Sequence, residues 1–251
     1  MTMLPREIET LRSFFQSNSE SRVVHALLRY PYTIAFCDNW VKPRVAVIAW
    51  KDHLVLAGNA NGDGWTKFVA SIDFHGFIQS PGDFLPGLKR IAPNLAIWPR
   101  VRFILHKSPR EVQYPLNARI RKVGFSDAPA LEQIGQSWVW NYWEGAEDFC
   151  QTATAHVAEV EAIAVSVVSV FVEYENYADL AVATHPSFRR QGLATATAHA
   201  LCAEIITQGR VPVWSTSPDN MASSTIPRKL GFIEIPAHPI YVMNHEIPPI
   251  S

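Results

Sequence analysis

The sequence predicts an α+β fold built on a mixed sheet, and three observations carry that prediction. Short β-branched and aromatic runs alternate with helix-period segments. The C-terminal half follows an order of strand, tight turn, amphipathic helix, strand, short helix, closing strands. The chain has 251 residues, 48% hydrophobic and 18% charged. That is an ordinary globular composition, and the length suits one large domain or two small ones.

In the N-terminal half, Ile8, Leu11, Phe14 and Phe15 recur at helical spacing, and a second helix is expected over 21–28, ending before Pro31. Strands are expected over 33–37, 44–50 and 53–58, with Lys51 and Asp52 as a hairpin turn. Residues 59–64 read as a loop on their turn chemistry, 72–78 and 101–106 as strands, and 83–91 as a short helix. The proline-bearing stretch 108–115 marks the expected boundary between an N-terminal α+β domain, 1–112, and a C-terminal domain, 113–251.

The C-terminal half has a clearer order. A strand over 118–123 precedes a helix over 129–138 that Ser126 or Asp127 can cap. Aromatic residues follow at Trp138, Trp140, Tyr142, Trp143 and Phe149. Strands are then expected over 162–173, 177–184 and 211–215, helices over 192–208 and 223–230, and closing strands over 232–235 and 240–243. Gly231 sits where a helix C-cap is wanted.

Composition excludes several roles. The formal net charge is −1, so no bulk attraction to nucleic acid or to a membrane surface is implied. Pairs such as Arg121-Lys122 read as solvated surface. Cys37, Cys150 and Cys202 stand far apart without ligand spacing, so neither a metal site nor a disulfide framework is expected. The N-terminal segment carries Glu7, Glu9 and Arg12 and is no signal peptide. No uncharged apolar run approaches the roughly 20 residues that span a bilayer. The expectation is a cytoplasmic protein.

The decisive stretch runs from Asp179 to Thr195. A strand ends, the chain turns through Arg189, Arg190, Gln191 and Gly192, and a helix begins at Leu193 and Ala194. The first N–H groups of such a helix have no intrahelical partner and carry the positive end of its dipole, which suits a pyrophosphate. Gly192 lets the backbone curl without a Cβ in the way. Leu193, Thr197, Leu201 and Ile205 recur every fourth residue, and Ala194, Ala198, Cys202 and Ile206 form the adjacent row, so the helix faces a sheet and Cys202 reads as core. Alone, such a turn is in most chains a plain strand–loop–helix connection.

The surrounding residues add a resemblance. Arg189-x-x-Gly192-x-Ala194 resembles the acetyl-CoA signature of the GNAT N-acetyltransferase superfamily, and 211–232, with Asn220 and Lys229-Leu230-Gly231-Phe232, resembles its second half. Thr184, Pro212-x-Trp214, Asn220, Ser223 and Lys229-x-Gly231-Phe232 resemble more narrowly the zwittermicin-resistance type. The strong resemblance covers about residues 160–235. It implies a GNAT fold in the C-terminal half. The helix–helix–strand order of the N-terminal domain permits a degenerate GNAT-like unit, although no phosphate turn is read there; the alternatives are a shaper of the acceptor pocket or an oligomer interface.

The resemblance also implies a site. Acetyl-CoA would be the cosubstrate, its pantetheine arm paired with the backbone of Val182, Ala183 and Thr184. Its pyrophosphate would lie on Arg189, Arg190, Gln191, Gly192, Leu193, Ala194 and Thr195, with Asn220 on the arm. Asn220 could equally be a helix cap. The implied acceptor is a primary amine of a small molecule, an antibiotic or a metabolite. Amide formation needs a proton taken from the amine and a thiolate stabilised. Asp179, Glu173 and Glu175 are the candidate bases. The family's usual tyrosine acid falls at Pro227, so Ser223, Ser224 or Tyr241 would have to replace it. Trp138, Trp140 and Trp143 could line the acceptor site. The loss of that tyrosine keeps open a second possibility, a catalytically silent acyl-CoA-binding or sensor module.

Overall fold

The structure, a computed structural model, describes residues 5–18, 33–62, 64–140, 142–174 and 176–248. The helix expected over 21–28 and Glu175 lie outside the described residues. The described elements begin with α1 (Pro5–Asn18), β1 (Ile34–Cys37), β2 (Val45–Trp50), β3 (His53–Gly58), α2 (Trp65–Ser71) and β4 (Gly76–Gln79). Next come α3 (Leu85–Ile91), β5 (Ala96–Trp98), β6 (Val101–Ile104), β7 (Arg119–Lys122), α4 (Ala128–Gln133), α5 (Ala146–Thr152) and β8 (Ala155–Val160). Then follow β9 (Ile163–Tyr174), β10 (Tyr177–Thr184), α6 (Leu193–Thr207), β11 (Val211–Thr216), α7 (Met221–Leu230), β12 (Ile233–Pro236) and β13 (Ile240–Met243).

The chain folds as two compact units. One takes in the described residues up to Arg100 and those from Pro236 onward, and the other runs from Val101 to Ile235. This differs from a linear division at 112/113. The reason is strand pairing: β6 pairs with β11 in the second unit, while β13 pairs with β4 and β5 in the first. The expected strand near 101–106 and the last closing strand therefore exchange sides.

The first unit has a mixed sheet in the order β1-β2-β3-β4-β13-β5. Lys51 and Asp52 make the expected two-residue turn, with Trp50 opposite His53 and Lys51 at φ 48°. All six residues of β2 are buried, which is how a strand covered on both faces reads. Its core gathers Val45, Val47, Leu54, Leu56, Trp65, Phe84 and Tyr241. Helix α2 was hidden in the sequence behind the loop residues that precede it.

The second unit has a sheet in the order β12-β6-β11-β10-β9-β8-β7, with β10 and β11 parallel. Its two faces are covered separately. Val168, Val170, Ala178 and Leu180 pack with Ala198, Leu201, Cys202 and Ile205 of α6 and with Leu230 of α7. Val157, Val167, Ala181 and Ala183 pack with Leu131 of α4 and Phe149 of α5. Val167 and Val168 thus point to opposite faces, the period-two alternation of a strand. The helix expected to reach Trp138 ends at Gln133, because Gly135 adopts φ 71° and the chain continues as a 3-10 turn, Ser137–Trp140. Strand β8 lies N-terminal to the run from which strand character was read, and its hairpin with β9 turns on Glu161 and Ala162, both at positive φ.

The two units share a local plan. In each, a strand pairs in parallel with the strand beyond a helix over three residues only, Tyr177–Asp179 with Val211–Val213 and His53–Val55 with Phe77–Gln79. In each, a left-handed glycine enters the intervening helix, Gly192 at φ 79° and Gly64 at φ 86°. A GNAT-like first unit fits this repetition.

Candidate functional site

The site begins where two parallel strands part. β10 runs on to Thr184, but its pairing with β11 stops at Asp179 and Val213. From Val213 onward β11 pairs on its other edge with β6. At the same point the pairing of β10 with β9 shifts register, between Asp179 and Leu180. The extra residue, Phe171, lies on β9, so β9 is the strand the bulge bends. Leu180 to Thr184 therefore have no β11 pairing among the described residues, and an extended ligand could add itself there.

At the end of β10 the chain enters the turn. His185 caps a short 3-10 turn, Pro186–Phe188, its Nδ1 accepting from the Ser187 N–H at 3.3 Å. Arg190 and Gly192 both take positive φ, 61° and 79°. Gly192 offers no side chain to cap α6. The N–H groups of Leu193, Ala194 and Thr195 therefore point out of the helix end without intrahelical acceptors. Arg190, Gln191 and Gly192 are exposed, while Arg189, Ala194 and Thr195 are half-buried. A Cβ on Gly192 would meet only Pro115 Cγ, at 3.8 Å, so the turn is open. In the first unit a Cβ on Gly64 would lie 2.7 Å from Phe36 Cζ, and α2 spans only seven residues. That equivalent turn is filled by the protein's own ring.

The remaining candidates fall into place unevenly. Arg189 Nε donates to the Thr184 carbonyl at 3.3 Å, tying the turn to the strand end. Thr184 Oγ1 and Ser166 Oγ are 2.7 Å apart, and Ser166 donates onward to the Ala183 carbonyl. Asn220 is the N-cap of α7, its Oδ1 accepting from the Ser223 N–H at 2.9 Å. Ser223 Oγ in turn accepts from the buried Trp214 Nε1 at 3.0 Å. Pro227 lies inside α7 and has no N–H to give the Ser223 carbonyl. Glu173 is paired with Arg210 at 2.9 Å. Asp179 is half-buried at the parting itself. Ser224 is fully buried and held between the Met221 carbonyl and Arg228. Tyr241 is a buried core residue of the first unit, where burial raises its phenol above the usual value.

The aromatic segment divides. Trp140 is buried and Trp143 packs edge-on against Phe149, so both serve the core. Trp138 is 48% exposed and meets Phe171 edge-on, ring centroids 6.1 Å apart. Tyr142 also tilts against Phe171, ring centroids 4.6 Å apart. Sequence reasoning missed Phe171; its one signal was an aromatic ring in an otherwise β-branched strand.

Arg121 is not simple solvated surface. Its guanidinium forks onto both carboxylate oxygens of the buried Asp127 at 2.7 Å and reaches Glu159. Cys202 is fully buried in the core, as its helix row implied, and burial drives its thiol far up. Among the described residues, no helix is long and apolar enough to cross a membrane. No group of three His, Cys, Asp or Glu among them is placed to hold a metal ion.

Comparison with known proteins bears on this geometry. The profile of the GNAT acetyltransferases matches residues 113–241, just over half of the chain. The chain belongs to the GNAT acetyltransferase family. It is 28% identical over 174 residues, 68% of its length and 72% of the relative's, to an uncharacterized N-acetyltransferase from the mutA 5′ region of Streptomyces virginiae. A GCN5-related N-acetyltransferase-like protein from Streptococcus suis shares the fold, with TM-score 0.69, 15% identity, and 96% and 99% of the two chains covered. A tandem GNAT protein from the clavulanic acid biosynthesis pathway covers 94% of this chain and 93% of its own, with TM-score 0.58 and 13% identity. Both alignments run through the two units, in keeping with a tandem GNAT-like arrangement. As a GNAT-type N-acetyltransferase, the protein performs acetyl transfer.

Proposed function

We propose that the protein transfers the acetyl group of acetyl-CoA to a primary amine of a small molecule. The observation that carries this reading is the parting of β10 from β11 at Asp179, continued into an open left-handed turn at Gly192. The backbone of Val182, Ala183 and Thr184 would hold the pantetheine arm as an added strand. The N–H groups of Leu193, Ala194 and Thr195, with Arg189, Arg190, Gln191 and Gly192 around them, would hold the pyrophosphate. Asn220 spends its Oδ1 on the helix cap, so its amide N–H₂ is the end that would donate to the arm.

The chemistry follows from what an amide requires. The amine arrives as an ammonium and must lose a proton before its nitrogen can attack the thioester carbonyl carbon. The C–N bond forms, the C–S bond breaks, and the electron pair leaves on sulfur as a thiolate. A second proton leaves nitrogen as the amide forms, and one is taken up by sulfur. Asp179, at the parting, is the carboxylate best placed to accept the first proton. Glu173, paired with Arg210, is the second candidate. Ser223 accepts from Trp214 and retains its own hydrogen to donate to the thiolate.

Resemblance to the zwittermicin-resistance type favours an amino-bearing antibiotic or metabolite as acceptor, met in the cytoplasm. Titration calorimetry with acetyl-CoA tests the cosubstrate, and absence of binding at millimolar concentration sinks the proposal. Pro227, where the family's tyrosine would stand, favours a second reading as a silent acyl-CoA-binding module. Thiol release above background on addition of an amine excludes that second reading.

A further inference from the structure

We propose that Trp138 and Phe171 wall the acceptor subsite, and that the acceptor is an amine carried on an apolar aromatic or alkyl body, not a polyhydroxylated amino sugar. The inference rests on the acetyl-CoA reading of the cleft between β10 and β11.

Its starting point is the direction of the cleft. A ligand anchored by its phosphates at Gly192 and laid back along β10 passes Thr184 first and Leu180 last. Four residues of strand are about 13 Å, close to the extended length of a pantetheine arm. The reacting end therefore comes to the register shift at Asp179 and Leu180. Across that shift β9 is paired through Val172 and Val170, so Phe171, between them, is the residue the bulge leaves over. Trp138 is carried to the same place by the 3-10 turn Ser137–Trp140, which packs against both β9 and β10.

The chemistry of this corner is specific. A lone exposed tryptophan is ordinary. Trp138 differs because its ring is braced edge-on by Phe171, which Tyr142 braces in turn, while 48% of Trp138 stays open. An aromatic ring offers a negative face to an ammonium and an apolar face to its carbon body. Asp179 is the last residue of β10 paired with β11 before the divergence. Rings alone give a sugar's hydroxyls no hydrogen-bond partner, whereas an apolar body buries its whole surface against them.

The test uses the full chain, acetyl-CoA, and the probes 2-phenylethylamine, tryptamine and glucosamine, with thiol release as the readout and calorimetry for acetyl-CoA. The expected result is turnover of the two apolar amines at a KM well below that for glucosamine. Trp138→Ala should raise the KM for 2-phenylethylamine about tenfold. The Kd for acetyl-CoA should move less than about twofold, and Trp138→Phe should recover most of the loss. Acetyl-CoA binding with no turnover of either apolar amine overturns the inference and leaves the cosubstrate reading standing. So does a preference for glucosamine, or an unchanged KM in Trp138→Ala. Failure of the wild-type protein to bind acetyl-CoA overturns both.

Discussion

Substituting Gly192 separates the steric from the electrostatic role of the turn. The residue sits at φ 79°, where a non-glycine L-residue pays about 1–2 kcal/mol and Asp less than most. A Cβ finds only Pro115 Cγ at 3.8 Å, an ordinary contact. Gly192→Ala should therefore cost about 1 kcal/mol of stability, a Tm change of about 2–4 °C for a chain of this size. It should weaken acetyl-CoA by no more than a few-fold. Gly192→Asp should fold as well, but it sets a carboxylate where the pyrophosphate would lie. Two like unit charges about 4 Å apart repel by about 4 kcal/mol at an effective dielectric constant near 20. Even two thirds of that is about a hundredfold in Kd. Calorimetry with acetyl-CoA alongside a melting curve reads both quantities. A folded Gly192→Asp protein that binds acetyl-CoA like wild type would refute the turn as the pyrophosphate site.

Other outcomes follow from the same geometry. Ser223→Ala leaves the buried Trp214 N–H without its acceptor and should cost about 1–3 kcal/mol of stability. If Ser223 also donates to the leaving sulfur, kcat falls at least about tenfold while acetyl-CoA affinity holds; an unchanged kcat removes it from the chemistry. Arg121→Ala strands the Asp127 carboxylate and should cost about 3 kcal/mol in thermal or denaturant unfolding. Burial alone would raise the Asp127 carboxyl, but Arg121 and the Gly124 N–H outweigh it and hold it below its ordinary value. Its contribution is therefore complete above about pH 4 and is lost as pH falls through the lowered value. The variant should accordingly show a flatter acid limb of Tm against pH, and an acid limb as steep as wild type would count against the pairing. Burial pushes the Cys37 and Cys150 thiols up to about 11 and Cys202 higher still. A disulfide reagent should leave all three untouched at pH 8 until the protein is denatured, and prompt reaction of the native protein would contradict that burial.

Much of the fold was legible where its signals are local. The helix from Leu193, the strand over Tyr177–Thr184 and the hairpin at Lys51 and Asp52 each follow from short-range periodicity or turn chemistry, and each stands where the sequence put it. Less was legible where neighbours decide. Asn220 carries the same side chain whether it caps a helix or meets a ligand, and only the 2.9 Å contact to the Ser223 N–H makes it a cap. The three tryptophans of 138–143 look alike in sequence, yet Trp140 and Trp143 went to the core and Trp138 stayed open.

By itself the sequence determined the turn from Arg189 to Ala194, because a left-handed glycine followed by an amphipathic helix is encoded in a dozen consecutive residues. Only the tertiary structure decided what surrounds it. β13 belongs to the first unit's sheet although it follows the second unit in the chain, β10 leaves β11 after three paired residues, and Phe171 falls on the bulge beside Trp138. Apart from the bulge itself, which lies in the β9–β10 hairpin, these are contacts between residues far apart in the chain, fixed by register and by which face each strand must bury. No local spacing records a partner thirty or more residues away.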